Sequence, residues 1–348
     1  MSNIEQVYNF SLTVNWKLIK MLSQIDRFDA EWSAMERTEG DNLKELKTIA
    51  TVNSVGASTR IEGSKMSNKE VDMLLKNLSI DKLVDRDSQE VAGYFAVMDE
   101  ISESYEHIVI SENELKGLHN KLLKHSAKDG WHKGNYKQHS NNVEAHLPDG
   151  SSQIVFKTTP QGVETDDAMR NMIDWYINDN ETHPIVKCAL FSYEFVSIHP
   201  FQDGNGRMSR LLAGLLLLKH GYKWIQYISF EHEIEKRKPD YYAVLRDCQA
   251  QRPNENVNAW VEFFMDAILT IQQSLLTKLK QTGMKSGLSP KEKSVLAYIS
   301  GHAGCSSGAI AKRLAIPNPT IKKLLKKLTE MGFLDKHGIG RGTIYTLR

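Results

Sequence analysis

Two apolar stretches on either side of one polar, glycine-bearing loop do most to limit what this 348-residue chain can fold into. Residues 184–198 (PIVKCALFSYEFVSI) are apolar almost throughout and predict a buried helix, with Pro184 suited to its first turn. Residues 207–220 (RMSRLLAGLLLLKH) predict a second helix, ended by Gly221. Between them runs His199-Pro200-Phe201-Gln202-Asp203-Gly204-Asn205-Gly206. Gly204–Gly206 then lie at the N-terminus of the second helix, where free N–H groups and the positive end of the dipole attract an anion. The glycines let the backbone approach such an anion closely. Arg207 and Arg210, three apart, project from one side of the first turn, and their forked donors match phosphate oxygens. His199 can exchange a proton near neutral pH, and Asp203 offers the hard oxygen that Mg²⁺ prefers. The loop points to phosphate chemistry.

Residues 199–210 also fit, without a mismatch, the signature of the Fic family: His, any, Phe, any, Asp or Glu, Gly-Asn-Gly-Arg, two of any type, Arg. The chain therefore resembles enzymes that mostly transfer AMP from ATP to a hydroxyl side chain of a target protein and release pyrophosphate. The resemblance implies His199 as the general base and Asp203 as the Mg²⁺ ligand. It implies Gly204, Asn205 and Gly206 as the phosphate cradle, and Arg207 and Arg210 as the groups that hold the ATP phosphates. Phe201 is expected to anchor the loop in the core. Two arginines suit a triphosphate whose β- and γ-phosphates leave, which favours AMP over phosphate or another nucleotide as the transferred group. Retention of a base at His199 favours an enzyme over a nucleotide-sensing DNA-binding regulator.

A second motif lies upstream. Ser58-Thr59-Arg60-Ile61-Glu62-Gly63 fits the family's inhibitory pattern of Ser or Thr, three of any type, Glu, then Gly or Asn. The preceding residues 42–61 predict a helix, with Gly63 as its stop, and a spacing of four puts Ser58 and Glu62 on one face. By resemblance, Glu62 reaches Arg210 and takes the place of the ATP γ-phosphate, since a carboxylate–guanidinium pair mimics a phosphate–guanidinium pair. The alternative role for Glu62 is hydrolytic, positioning water to remove AMP from a modified target.

Residues 147–160 carry a turn signal, Pro148-Asp149-Gly150, and a strand-like run, Gln153–Thr159. Fic proteins place a β-hairpin flap here that clamps a target segment by strand pairing, which makes Ile154, Val155, Phe156 and Lys157 the expected target-binding residues. Tyr241 and Tyr242 sit where relatives place a tyrosine pair beside the nucleotide's adenosine end; Tyr241 is taken as the ATP contact, with Gln249 a further candidate.

Composition supports a globular protein with room for two or three domains. The longest apolar block, Leu211–Leu218, is too short to span a bilayer, and the N-terminal residues lack a basic region followed by an apolar core. Cys188, Cys248 and Cys305 are scattered and odd in number, which argues against a disulfide framework or zinc site and suits a reducing cytoplasm. ATP and its Mg²⁺ are the only cofactors expected. The partners expected are a target protein bearing a hydroxyl side chain, this chain included, and a second copy of the chain as a homodimer; a membrane is not expected.

The expected fold is mainly α: a Fic-type helical core with a β-hairpin flap, a helical segment before it and a small winged helix after it. Residues 10–35, 42–61, 67–78, 88–106, 111–127, 164–179, 238–250 and 256–281 also suit helices. The divisions are 1–110 for the N-terminal helical region with the inhibitory helix, 111–282 for the catalytic core and closing helices, and 287–348 for the winged helix, after a linker at Gly283–Ser289. Residues 285–348 hold nine Lys and three Arg against two Glu and one Asp, a net of +9 in a chain of net +1. Lys322, Lys323, Lys326 and Lys327 on its third helix, and Arg341 on the wing, make DNA a candidate partner through 287–348. A protein surface is the alternative, because that helix lacks an Arg, Asn or Gln set for reading bases.

Overall fold

The computed structural model describes residues 3–78, 83–126, 128–146, 152–286, 288–338 and 340–347; the side chains of 3–6, 38–42, 145, 146, 152, 281–286 and 341 are outside that description. The turn Pro148-Asp149-Gly150 and the Arg341 side chain therefore lie outside the described residues. The chain divides into two compact units, Met1–Leu276 and Thr277–Arg348.

The first unit opens with an antiparallel hairpin, β1 (Asn3–Val7) and β2 (Phe10–Val14), where the sequence suggested a helix from residue 10. The run Phe-Ser-Leu-Thr-Val alternates, and Phe10 and Leu12 are its buried face. Period two wins there, and the Ser11 and Val257 N–H groups donate to Glu255 O and Ser11 O (2.9 and 3.1 Å) to hold the strand in place.

Helix α1 (Trp16–Ile61) runs unbroken for 46 residues, where two helices were expected. The polar stretch 36–41 reads as a break, but one interior glycine costs only about 1 kcal/mol, and Leu43, Leu46 and Ala50 resume the buried face. Gly63, at φ 105°, ends the helix as expected. Then come α2 (Asn68–Lys76), capped by the Ser67–Glu70 box, α3 (Arg86–Ser104) and α4 (Glu112–Leu122). A hairpin of β3 (Val143–His146) and β4 (Ser152–Phe156) precedes α5 (Val163–Asn178), α6 (Pro184–Ile198) and α7 (Asn205–Lys219). A 3₁₀ turn (Lys223–Tyr227) leads to α8 (Phe230–Lys236), α9 (Lys238–Gln249) and α10 (Asn258–Ser286), whose residues from Thr277 onward belong to the second unit. The last helix continues through Gly283, where the sequence suggested a linker.

Helix α6 is the centre of this unit. Every residue from Ile185 to Ile198 is buried, as its all-round apolar sequence requires, and α7 packs along it. No helix among the described residues is long and apolar enough to cross a membrane.

In the second unit, α11 (Pro290–Gly301), β5 (Cys305–Ser306), α12 (Ser307–Leu314), α13 (Asn318–Glu330), β6 (Leu334–His337) and β7 (Ile344–Leu347) form a winged helix, with a three-stranded sheet in the order β5-β7-β6. Its core is built on Val295, Ile299, Ile310, Ile321, Leu325 and Leu328. The four lysines of α13 are not equivalent. Lys327 pairs with Glu292 (2.7 Å) and Lys326 approaches Glu330 (3.8 Å), whereas Lys322 and Lys323 are exposed and have no ion-pair partner among the described residues.

Candidate active site

The loop after α6 turns on His199, which caps that helix in the left-handed conformation (φ 55°, ψ 56°). A side chain in that region is strained by about 1–3 kcal/mol and persists only where its surroundings fix it. Here two polar side chains do so, one half-buried and one buried. Asn141 Nδ2 donates to the carbonyls of His199 and Phe201 (2.9 and 2.6 Å). Lys137 Nζ donates to Ile198 O, Thr158 Oγ1 and Asn141 Oδ1 (3.0, 3.0 and 2.9 Å), and burial pulls its pKa down to about 8.

On the other side of the loop, the ring of His119 stacks on Phe201, with centroids 3.7 Å apart. Gly134 N–H donates to His119 Nδ1 (3.0 Å), so the ring proton sits on Nε2 and donates to Asp203 O (2.9 Å). Burial lowers the His119 pKa to about 4, so the ring stays neutral in this role. Sequence reasoning missed His119, Lys137 and Asn141. The one signal on offer was a histidine set among Leu115, Leu118 and Leu122 on the buried face of α4.

The His199 side chain borders a cavity of about 290 Å³. Its Nδ1–H donates to Val196 O (3.1 Å), which leaves Nε2 as the basic nitrogen. Burial holds the His199 pKa below the ordinary value and the nearby Lys137 charge adds to this, outweighing its hydrogen bond to Val196. At neutral pH the imidazole is unprotonated, the state a base requires.

Asp203, Gly204, Asn205, Gly206, Arg207 and Arg210 border the same cavity. Gly204 caps α7 at φ 84°, with no side-chain bond to the first turn. Asp203 Oδ1 accepts from Gly204 N–H (2.6 Å), and Lys128 and Arg207 lie 3.7 and 3.5 Å from its carboxylate. Burial opposes its ionisation, but the Arg207 charge, that hydrogen bond and Lys128 outweigh it and keep the pKa below the usual carboxylate range. Asn205 is spent on the loop: its Oδ1 accepts from Phe201 N–H (2.9 Å) and its Nδ2 donates to Phe201 O (2.7 Å). Only its backbone remains for the cavity.

Arg207 is 1% exposed, with Nη1 3.6 Å from Glu90, yet its Nε and Nη1 have no hydrogen-bond partner, and neither has Arg210 Nη1. A buried, unsatisfied charged donor costs at least about 1–3 kcal/mol, so the two guanidinium groups that border the cavity hold donor capacity the chain itself leaves unmet.

An anion of the chain already sits there. Arg210 Nη2 donates to Glu62 Oε1 (2.7 Å) and to Ser58 O (3.0 Å), and its Nε donates to Ser58 Oγ (2.8 Å). The carboxylate rests on Gly206: a Cβ there would come within 2.4 Å of Glu62 Oε1. Burial raises the Glu62 pKa, but the Arg210 and Arg207 charges outweigh it, and the group is ionised. The end of α1 is pinned by Arg60, bonded to Glu235 through two nitrogens (2.6 and 3.0 Å), and by Lys238 Nζ, which donates to Ile61 O (2.6 Å).

The remaining sequence candidates divide. Phe156 is buried and borders the cavity, while Ile154 and Val155 are 45% and 38% exposed on β4. Strand β4 ends at Phe156, so Lys157 follows it as an exposed residue. Tyr241 touches the cavity but is buried among Tyr242, Trp260 and Phe263; Tyr242 also borders it and is less buried. Gln249 borders it too, with its amide donating to Ser197 Oγ (2.9 Å).

Residues 109–217, which hold this loop, match the model of the Fic/DOC family. The chain carries a Fic domain. Residues 286–340 match the MarR family, in agreement with the winged helix. Over 207 residues the chain is 28% identical to "Protein adenylyltransferase Fic" of Drosophila willistoni, covering 58% of this chain and 39% of that protein. For the protein of the same name from Aedes aegypti the values are 26% over 216 residues, 59% and 40%. The chain thus spans about two fifths of the length of these curated relatives. A crystal structure of a Fic family protein from Desulfovibrio desulfuricans G20 superposes with a TM-score of 0.62 at 23% identity, covering 97% of each chain. Fic-1 from C. elegans gives 0.57 at 21% identity, over 76% of this chain and 73% of that one. Both establish the Fic fold for the helical body.

Proposed function

We propose that this Fic-domain protein is an autoinhibited protein adenylyltransferase, which moves AMP from ATP to a hydroxyl side chain of a target protein. The observation that carries the reading is the convergence, on one cavity, of a neutral His199 with the unspent donors of Arg207 and Arg210. The target oxygen attacks the α-phosphorus while its proton passes to His199 Nε2. The bond from the α-phosphorus to the oxygen bridging to the β-phosphate breaks, and pyrophosphate leaves with that electron pair. Arg207 and Arg210 stabilise the charge that gathers on the leaving phosphates. The exposed side chains of Ile154, Val155 and Lys157 and the free edge of the β3–β4 hairpin suit an extended target segment that pairs as a further strand.

Mg²⁺ suits this donor set. No group of three or more His, Cys, Asp or Glu placed to hold a metal occurs among the described residues, and Mg²⁺ is commonly held by one or two carboxylates together with phosphate oxygens. Asp203, ionised and at the cavity wall, would hold it, and the ion would neutralise polyphosphate charge.

Glu62 is the inhibitor in this reading. Its carboxylate fills the grip that the γ-phosphate needs, and its tie to Arg210 favours this role over water activation. The winged helix supplies a second contact: Lys322 and Lys323 are free to neutralise phosphates, and we infer DNA as its partner. The transfer reaction is tested by incubating Glu62→Gly protein with α- or γ-labelled ATP, Mg²⁺ and a cell lysate. Label from the α position that is lost in a Glu62→Gly/His199→Ala control is expected, and label that depends on His199 and comes from only the γ position would exclude AMP as the transferred group.

A further inference from the structure

A second cavity, of about 410 Å³, lies behind Arg210. Thr51 and Ser54 of α1, Phe95 and Met98 of α3, and Leu211 and Gly214 of α7 form its walls, and α2 and the segment after α7 complete them. Its volume is that of a small-molecule site. Gly214 opens it: a Cβ there would meet nothing within 4 Å, although the residue lies within a helix packed into the core.

One wall is a carboxylate. Glu231 is 7% exposed, accepts from Tyr94 Oη (3.0 Å) and Ser229 Oγ (3.2 Å), and has no ion-pair partner among the described residues. It keeps lone pairs for a further donor in surroundings that are otherwise largely apolar. Among the other charged residues of its lining, Lys47 pairs with Glu103 and Lys76 with Asp72, and Lys44 and Asp99 are of opposite sign. We propose that this cavity binds a small, neutral, mainly apolar molecule that carries a hydrogen-bond donor for Glu231, and that its occupant holds the end of α1 in the inhibitory position.

Arg210 couples the two sites, since it borders both cavities and holds Glu62. Ser54 lies one turn before Ser58 on α1. A ligand shifts an equilibrium only by its differential affinity for the two states. This chamber is formed with Glu62 seated on Arg210, so a molecule that fits it stabilises the seated state. The regulatory half rests on the inhibitory reading of Glu62; the binding half does not.

The two halves are tested separately, on the full chain. 2-Naphthol, neutral at pH 7 with one O–H donor, is titrated by saturation-transfer NMR against wild type and Gly214→Leu. Saturable binding is expected in wild type and at least about tenfold weaker binding in the variant, whose added side chain fills the chamber. Equal binding by a folded Gly214→Leu, or no saturable binding by wild type, overturns the site, and tighter binding of naphthalene-2-sulfonate overturns the neutral class. If Gly214→Leu does not fold, Thr51→Phe blocks the chamber from the α1 wall with the same expectation. Hydrogen exchange then reads the coupling: saturating 2-naphthol should slow the amides of residues 58–63 about threefold or more in wild type. Unchanged exchange at saturation refutes the regulation while leaving the site and the transferase reading standing.

Discussion

Replacing Glu62 by glycine removes one carboxylate and, in the proposed function, leaves the grip on the phosphates open. The bond it breaks, Arg210 Nη2 to Glu62 Oε1 at 2.7 Å, is charge-assisted and made to a buried guanidinium. A hydrogen bond to a charged group contributes roughly 1.5–3 kcal/mol net. The carboxylate's seat over the first turn of α7 adds roughly 0.3–1 kcal/mol from the helix terminus. The γ-phosphate therefore has about 2–4 kcal/mol of docking to displace, equivalent to roughly 30- to 1,000-fold in rate. The Glu62 side chain keeps 30% of its exposure, so solvent screens the pair and the lower part of that range, about 30- to 100-fold, is expected. The assay is the initial rate of protein labelling from α-labelled ATP. Adding His199→Ala to Glu62→Gly should lower that rate at least about 100-fold, as expected for loss of a general base. Adding Arg210→Ala should cancel the gain, because the proposed reaction uses the same guanidinium for inhibitor and substrate. A rate within about twofold of wild type for Glu62→Gly, or a fully active Glu62→Gly/Arg210→Ala protein, would refute the plug.

Stability should fall in mild acid through His119. Its folded pKa is about 4 against an ordinary 6.5, so the unfolded chain takes up the proton first. The stability that the neutral ring supplies is complete above pH 6.5 and drains away between 6.5 and 4, by about 3 kcal/mol in all. Urea midpoints at pH 7.5 and 4.5 should therefore converge in His119→Gln relative to wild type, and an unchanged pH dependence contradicts the assignment. The winged helix should bind a random-sequence DNA duplex with salt-dependent affinity, and the double change Lys322→Glu, Lys323→Glu should lower the slope of log affinity against log salt by about two. A double variant that binds like wild type removes DNA from the account.

Much of the cavity's lining was legible because it is contiguous. His199 to Arg210 lie on one loop and one helical turn, and α6 and α7 fall within two residues of their expected bounds. Glu62 was legible through its spacing from Ser58 on a helix. Its landing on Gly206 was not, because a contact across 144 residues leaves no local pattern. The scaffold of the loop was hidden for the same reason: Lys137, Asn141 and His119 act through hydrogen bonds to carbonyls 58 to 84 residues away. Asn205 was placed in the cradle by its motif and borders the cavity, while the bonding of its side-chain amide to the Phe201 backbone left no trace in the sequence. The β1–β2 hairpin was misread because five residues of alternation are short beside the helical pattern that follows them. Tertiary packing decided both it and the unbroken length of α1.

A crystal structure of the Glu62→Gly protein with ATP and Mg²⁺ tests most directly whether plug and substrate share one seat. The γ-phosphate is expected on the Arg210 guanidinium where the carboxylate now lies, with the α-phosphorus turned toward the side of the cavity that holds His199 Nε2. A triphosphate bound away from Arg210, or an α-phosphorus on the far side of α7 from His199, would contradict the account.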